Sequence, residues 1–104
     1  MLLSTTDTIY GKKIVRHLGL VRGNTIRARH IGRDIMAGLR NVVGGEISDY
    51  TKMMGESREQ AIDRMIEDAQ RLGANAIVGV SFATSMVMQM AAEILVFGTA
   101  VVVE

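Results

Sequence analysis

The stretch Ile94-Leu-Val-Phe-Gly-Thr-Ala-Val-Val-Val103 decides the fold. Its β-branched and aromatic content predicts a strand. Alternation puts Ile94, Val96, Ala100 and Val102 on one face, with Leu95, Phe97, Val101 and Val103 on the other. Both faces are apolar, so both call for cover. Upstream, Asn75–Ala83 reads as a second strand, with Ala76, Val78, Val80 and Phe82 opposed to the smaller face of Ile77, Gly79, Ser81 and Ala83. Small residues there let a helix or a neighbouring chain approach closely.

Before these strands, apolar residues Ile62, Met65, Ile66, Ala69 and Leu72 recur at helical spacing, and Ser48 to about Leu72 is predicted as a long helix. Gly73 supplies its C-terminal cap. Gly55 is a candidate break, with Ser57-x-x-Gln60 as a capping box that restarts the helix. Glu67 with Arg71, and Arg64 with Asp68, are i,i+4 pairs. A short helix, Ile35–Val43, is expected after a cap at Asp34 and before a stop at Gly44-Gly45. Nearer the N-terminus, Leu2–Ser4, Lys13–Arg22 and Thr25–His30 read as strands, the last two separated by a turn or bulge at Gly23-Asn24.

These elements predict one α+β domain over residues 1–104, in two layers, with an antiparallel sheet and both helices on one face. Two helices in so short a chain cover one side of a sheet. Identical neighbours are the simplest cover for the other, so a homo-oligomer is expected.

Charge divides the chain in the same way. Twelve Lys/Arg and eleven Asp/Glu leave a net charge of +1. All the basic residues lie at or before Arg71, whereas only Glu93 and Glu104 are charged from Leu72 onward. The uncharged run 72–92 is diluted by Asn75, Ser81, Thr84, Ser85 and Gln89, which favours buried strands over a membrane span. With no cysteine there is no disulfide, thiolate nucleophile or Cys-based metal site. That composition suits a reducing compartment, and Met1–Asp7 lacks the basic and apolar regions of a signal peptide, so a cytoplasmic location is expected.

The candidate chemistry is sparse. His17, His30, Asp34, Glu46 and Glu93 are the imidazole and carboxylate groups suited to a divalent heavy metal. The two histidines lie thirteen residues apart with no local pairing, so a site shared around an oligomer axis is the better form of that idea. Met86, Met88 and Met90 alternate and would line one face of an extended chain. Thioethers so placed could meet Cu(I), but packing against a neighbour is the expected role. The basic run Arg16–Arg33, with Arg22, Arg27, Arg29 and Arg33 foremost, is the best anion candidate. It lacks the interleaved aromatics or basic helix of a nucleic-acid reader, so nucleic acid is not the expected partner, and an anion- or nucleic-acid-binding module built on this run stands as the alternative function. No nucleophile setting, phosphate loop or tuned carboxylate pair stands out, and no enzymatic activity is expected.

Several blocks, in order, cover most of the chain: Ser4-Thr5-Thr6, Gly19–Asp34, Gly38-Leu-Arg-Asn-Val-Val-Gly-Gly-Glu46, Ser57-Arg-Glu-Gln-Ala61, Gly73-Ala-Asn-Ala-Ile-Val-Gly-Val80 and Ala92-Glu-Ile-Leu-Val-Phe-Gly-Thr-Ala-Val101. In these the chain resembles the YbjQ-like family of small bacterial and archaeal proteins, which carries a heavy-metal-binding label rather than an established activity. The resemblance implies a dodecin-like subunit in a homo-oligomeric ring, commonly a pentamer or a stack of rings, with metal or a small ligand held between subunits. Phe97 stands where the family pattern suggests tyrosine, and Met53-Met54 and Met86/Met88/Met90 enrich the chain in methionine. Val96, Phe97, Val101, Met86 and Met88 are the expected oligomer contacts.

Overall fold

The computed structural model describes residues 1–28, 42–43, 46–88 and 91–104. In chain order the elements are β1 (Leu2–Leu3), β2 (Ile14–Ala28), β3 (Val42–Val43), β4 (Glu46–Ile47), α1 (Ser48–Arg71), β5 (Ala76–Met88) and β6 (Ala91–Val103). Four strands form one sheet in the order β1-β5-β6-β2, and β3 pairs antiparallel with β4 in a separate two-stranded ribbon. The apolar strand β6 is central, as its two-sided burial requires.

The sheet is mixed, which corrects the antiparallel expectation. β1 runs parallel to β5, with Leu2 opposite Ala76 and Leu3 opposite Ile77. β1 and β5 are far apart in the sequence, so no tight turn fixes their relative direction and a parallel pairing is open to them. The other two pairings, β2–β6 and β5–β6, are antiparallel.

The strands predicted at Lys13–Arg22 and Thr25–His30 are one strand within the described residues, running through Gly23-Asn24 without a turn. Gly23 is there for another reason. A Cβ at this position would lie 2.0 Å from the Ala61 carbonyl oxygen and 2.5 Å from the Met65 nitrogen, so α1 rests directly on the strand backbone. Bulges between Ile14 and Arg16 and between His17 and Gly19 adjust the register near the start of β2.

Helix α1 begins at Ser48 and ends at Arg71, close to its predicted limits. Gly73 takes φ +85°, and the N–H groups of Gly73 and Ala74 bond the carbonyls of Gln70 and Ala69 at 3.0 and 3.1 Å, which closes the helix as the sequence implies. The helix is unbroken through Gly55, so Ser57 is no cap. It is buried in mid-helix facing β2, where its carbonyl accepts the Thr25 hydroxyl at 3.2 Å. Val42 and Val43 belong to β3 rather than to a helix end; the rest of the predicted helix 35–43 lies outside the described residues.

The main core lies between α1 and the sheet: Val21, Ala61, Met65, Ala69, Ile77, Ile94, Val96 and Ala100. A smaller cluster of Ala76, Val78, Val101 and Val103 forms on the opposite face at one end, with Ile9 and Ile14 packed against it. Gly79, at φ +62°, explains why Ile77 and Val80 join the same cluster. The irregularity between Val78 and Ser81 inserts a residue and reverses the alternation expected from the sequence. The same bulge anchors the N-terminal segment: the Gly79 and Val80 N–H groups bond the carbonyls of Thr6 and Ser4 at 2.9 and 3.0 Å. No described helix is long and apolar enough to cross a membrane, and most of the uncharged run is strand β5.

Candidate functional site

Outside the Ile9 end, the face of the sheet away from α1 is open. Cross-strand register places Leu20, Arg22, Asn24 and Ile26 of β2 beside Thr99, Phe97, Leu95 and Glu93 of β6. Ser81, Ala83 and Ser85 of β5 continue the same rows. Leu20 and Ile26 are 67% and 62% exposed, while Leu95 and Phe97 are half-buried between their neighbours. At one end of this face the Asn24 amide donates to the Glu93 carboxylate at 3.3 Å. The site is therefore a mixed face, with Leu20, Ile26, Leu95 and Phe97 set among Arg22, Asn24, Thr99 and the small residues of β5, and with Glu93 as its acid.

Among the described residues, the metal candidates do not converge within one chain. His17 is exposed and sits opposite Val101, eight positions along β6 from Glu93. At strand rise that separation is about 26 Å. Glu46 is described in backbone only, paired with Val43, and His30 and Asp34 lie outside the described residues. Among the described residues no three His, Cys, Asp or Glu side chains come together.

Of the anion candidates, Arg16 and Arg22 are exposed on β2, Arg27 is described in backbone opposite Ala92, and Arg29 and Arg33 lie outside the described residues. Arg22 lies on the open face while its backbone N–H is taken by Asp68 of α1 at 3.3 Å.

The expected oligomer contacts divide. Val96 and Val101 are fully buried in the single chain, one beneath α1 and the other in the smaller cluster, so neither has surface to offer a neighbour. That corrects their assignment as interface residues: two-sided burial of β6 is met partly by the chain itself, through α1 and the Ile9 segment. Phe97 remains on the open face, and Met86 is 64% exposed on β5. Met88 is described in backbone only, after a register shift from Met86, and Met90 lies outside the described residues, so the three do not form one regular described row.

Sequence reading missed the contacts at the outer edge of β2. Arg64 of α1 donates to the Asn24 carbonyl at 2.6 Å, and Asp68 accepts the Arg22 N–H as well as an Arg71 ion pair at 3.1 Å. The i,i+4 pairing expected between Arg64 and Asp68 gives way to these longer-range bonds. Their spacing on one helical face was legible, but their partner strand was not.

Across residues 1–104 the chain matches a family described as "Putative heavy-metal-binding". It is 61% identical over 101 residues to a UPF0145 protein of Methanosarcina acetivorans, covering 97% of this chain and 95% of the relative. A UPF0145 protein of Dehalococcoides mccartyi is 58% identical over 104 residues, with both chains fully covered. A Thermus thermophilus relative is 53% identical, covering all of this chain and 91% of its own. A crystal structure of a Pediococcus pentosaceus protein of unknown function, assigned to the DUF74 family, superposes with a TM-score of 0.73 over 100% of this chain and 98% of that one. At 17% identity it supports the fold alone.

Proposed function

The chain belongs to the YbjQ-like, UPF0145 family, and on that premise we propose that it is a non-enzymatic homo-oligomer whose subunits join into a ring, a pentamer being the expected size, and hold a heavy metal or small ligand between them. The exposed Leu20 and Ile26 and the half-buried Leu95 and Phe97 on the open face carry this reading, because large apolar side chains facing water on a sheet are best covered by a neighbour. A ring also answers the dispersal of the ligands. His17 and Glu93 are too far apart to share a metal within one chain, whereas rotation about an axis brings equivalent side chains of several copies together. The protein would act in the cytoplasm.

Two measurements test this. Sedimentation at micromolar concentration should give a mass several times 11.3 kDa; a monomer would reject the ring. Metal analysis of stripped protein after exposure to Zn, Cu and Ni should find stoichiometric uptake that the His17→Ala/His30→Ala double variant lacks. Absence of uptake, or uptake unchanged in that variant, would reject the metal reading.

A further inference from the structure

The two strands that flank β6 are finished differently. On β2, Arg64 and Asp68 bond the outward Asn24 carbonyl and Arg22 N–H. On β5, the N-terminal segment covers the edge only as far as Gly79 and Val80. Beyond it, every residue from Ser81 to Val87 is exposed. The segment Ser81-Phe-Ala-Thr-Ser-Met-Val87 contains no charge or proline, two of the devices that block edge pairing, and its register with β6 is regular from Ser81 to Met86.

The hydrogen-bond parity of this edge follows from the register. The outward groups of Arg22 and Asn24 make their pairs with Phe97 and Leu95 the non-bonded ones, so Phe97 and Leu95 bond toward Ser81 and Ala83. The outward N–H and C=O groups of β5 here therefore belong to Phe82, Thr84 and Met86, and none is bonded among the described residues.

We propose that the Ser81–Val87 edge of β5 pairs antiparallel with the same edge of a second copy, about a two-fold axis through Thr84. Three observations select a second copy. The edge is uncharged, within a run free of charge from Leu72 to Ala92, and so offers nothing to a charged partner but is compatible with itself. Its free groups are in phase for self-pairing, since Thr84 meets Thr84 and Phe82 meets Met86 as hydrogen-bonded pairs. The side chains match in that register: thioether against aromatic ring twice, and threonine against threonine at the centre. On the other face Ala83 meets Ser85, two small residues that let the strands close. The paired segment stops where Ser4 already occupies Val80. Such a contact is isologous and closes on itself, whereas a ring contact is heterologous. Together they would stack two rings face to face.

The absence of cysteine makes the test direct. Thr84→Cys, mildly oxidised at micromolar concentration, should become a covalent dimer almost completely, because directly opposed residues lie within disulfide reach. Val15→Cys, exposed on β2, serves as the control and should cross-link at least tenfold more slowly. Mixing Phe82→Cys with Met86→Cys should give the mixed dimer in preference to either homodimer. Hydrogen exchange on the unmodified protein provides a reading free of mutation: the Phe82, Thr84 and Met86 amides should slow at least tenfold between nanomolar and micromolar protein. Cross-linking of Thr84→Cys no faster than Val15→Cys overturns the proposal. Protection of these amides without that cross-link overturns it too, by showing that another strand covers the edge. Native mass reports the ring and cross-linking reports this edge, so the two readings fail separately.

Discussion

Strands β2 and β5 flank the same central strand, yet one is supported by a helix and the other is bare. α1 lies on β2 closely enough to exclude a Cβ at Gly23, and its Asp68 and Arg64 bond two of the strand's outward groups, the Arg22 N–H and the Asn24 carbonyl. Among the described residues β5 has no such support past Val80, and Phe82, Met86 and Val87 are exposed. An edge with outward N–H and C=O groups already bonded resists strand addition, whereas an uncharged, uncovered edge invites it. The chain thus directs where neighbours can attach by where its helix lies.

The contrast can be broken at its shared support first. Val96→Lys places an ammonium in the fully buried layer between α1 and β6, and an unpaired buried charge costs about 3–5 kcal/mol. Circular dichroism should show an unfolded or molten chain, with both edges lost together. Gly23→Ala attacks only the supported side. Its Cβ meets helix backbone rather than a flexible side chain, so a loss of about 3 kcal/mol in urea denaturation is expected, at the upper end of overpacking costs.

Smaller changes sharpen the comparison. The double change Arg64→Ala and Asp68→Ala frees the β2 edge. Both bonds are exposed, so stability should fall by only about 1 kcal/mol. Sedimentation of this variant should reveal added self-association as a second edge opens. Thr84→Lys should leave the stability of the single chain within about 0.5 kcal/mol of the original, as exposed substitutions do. It sets two ammonium groups face to face across the proposed two-fold, so the contact there should be lost.

Legibility in the sequence followed the range of the interaction. α1 was readable from its apolar stripe and from Gly73, because a helix is stabilised by neighbours three and four residues away. β6 was readable because its own residues are apolar on both sides. The candidate site was less so. His17 and Glu93 were visible as ligand types, but their separation along paired strands is a property of register. Val96 and Val101 were correctly read as covered, yet the cover proved to be the chain's own helix and N-terminal segment. Ser57-x-x-Gln60 resembled a cap, and the burial of Ser57 against β2 overrode that local signal.

The sequence alone determined the long helix, the two C-terminal strands, the nearly uncharged final third and the family, since each rests on local spacing or on the order of short motifs. The tertiary structure alone decided the parallel placement of β1, the passage of β2 straight through Gly23-Asn24, the reversal of faces at Gly79 and the unequal finish of the two edges. Each of these depends on which backbone groups find partners across the sheet. Side-chain patterning ranks the faces of a strand but does not name the element that lies beside it.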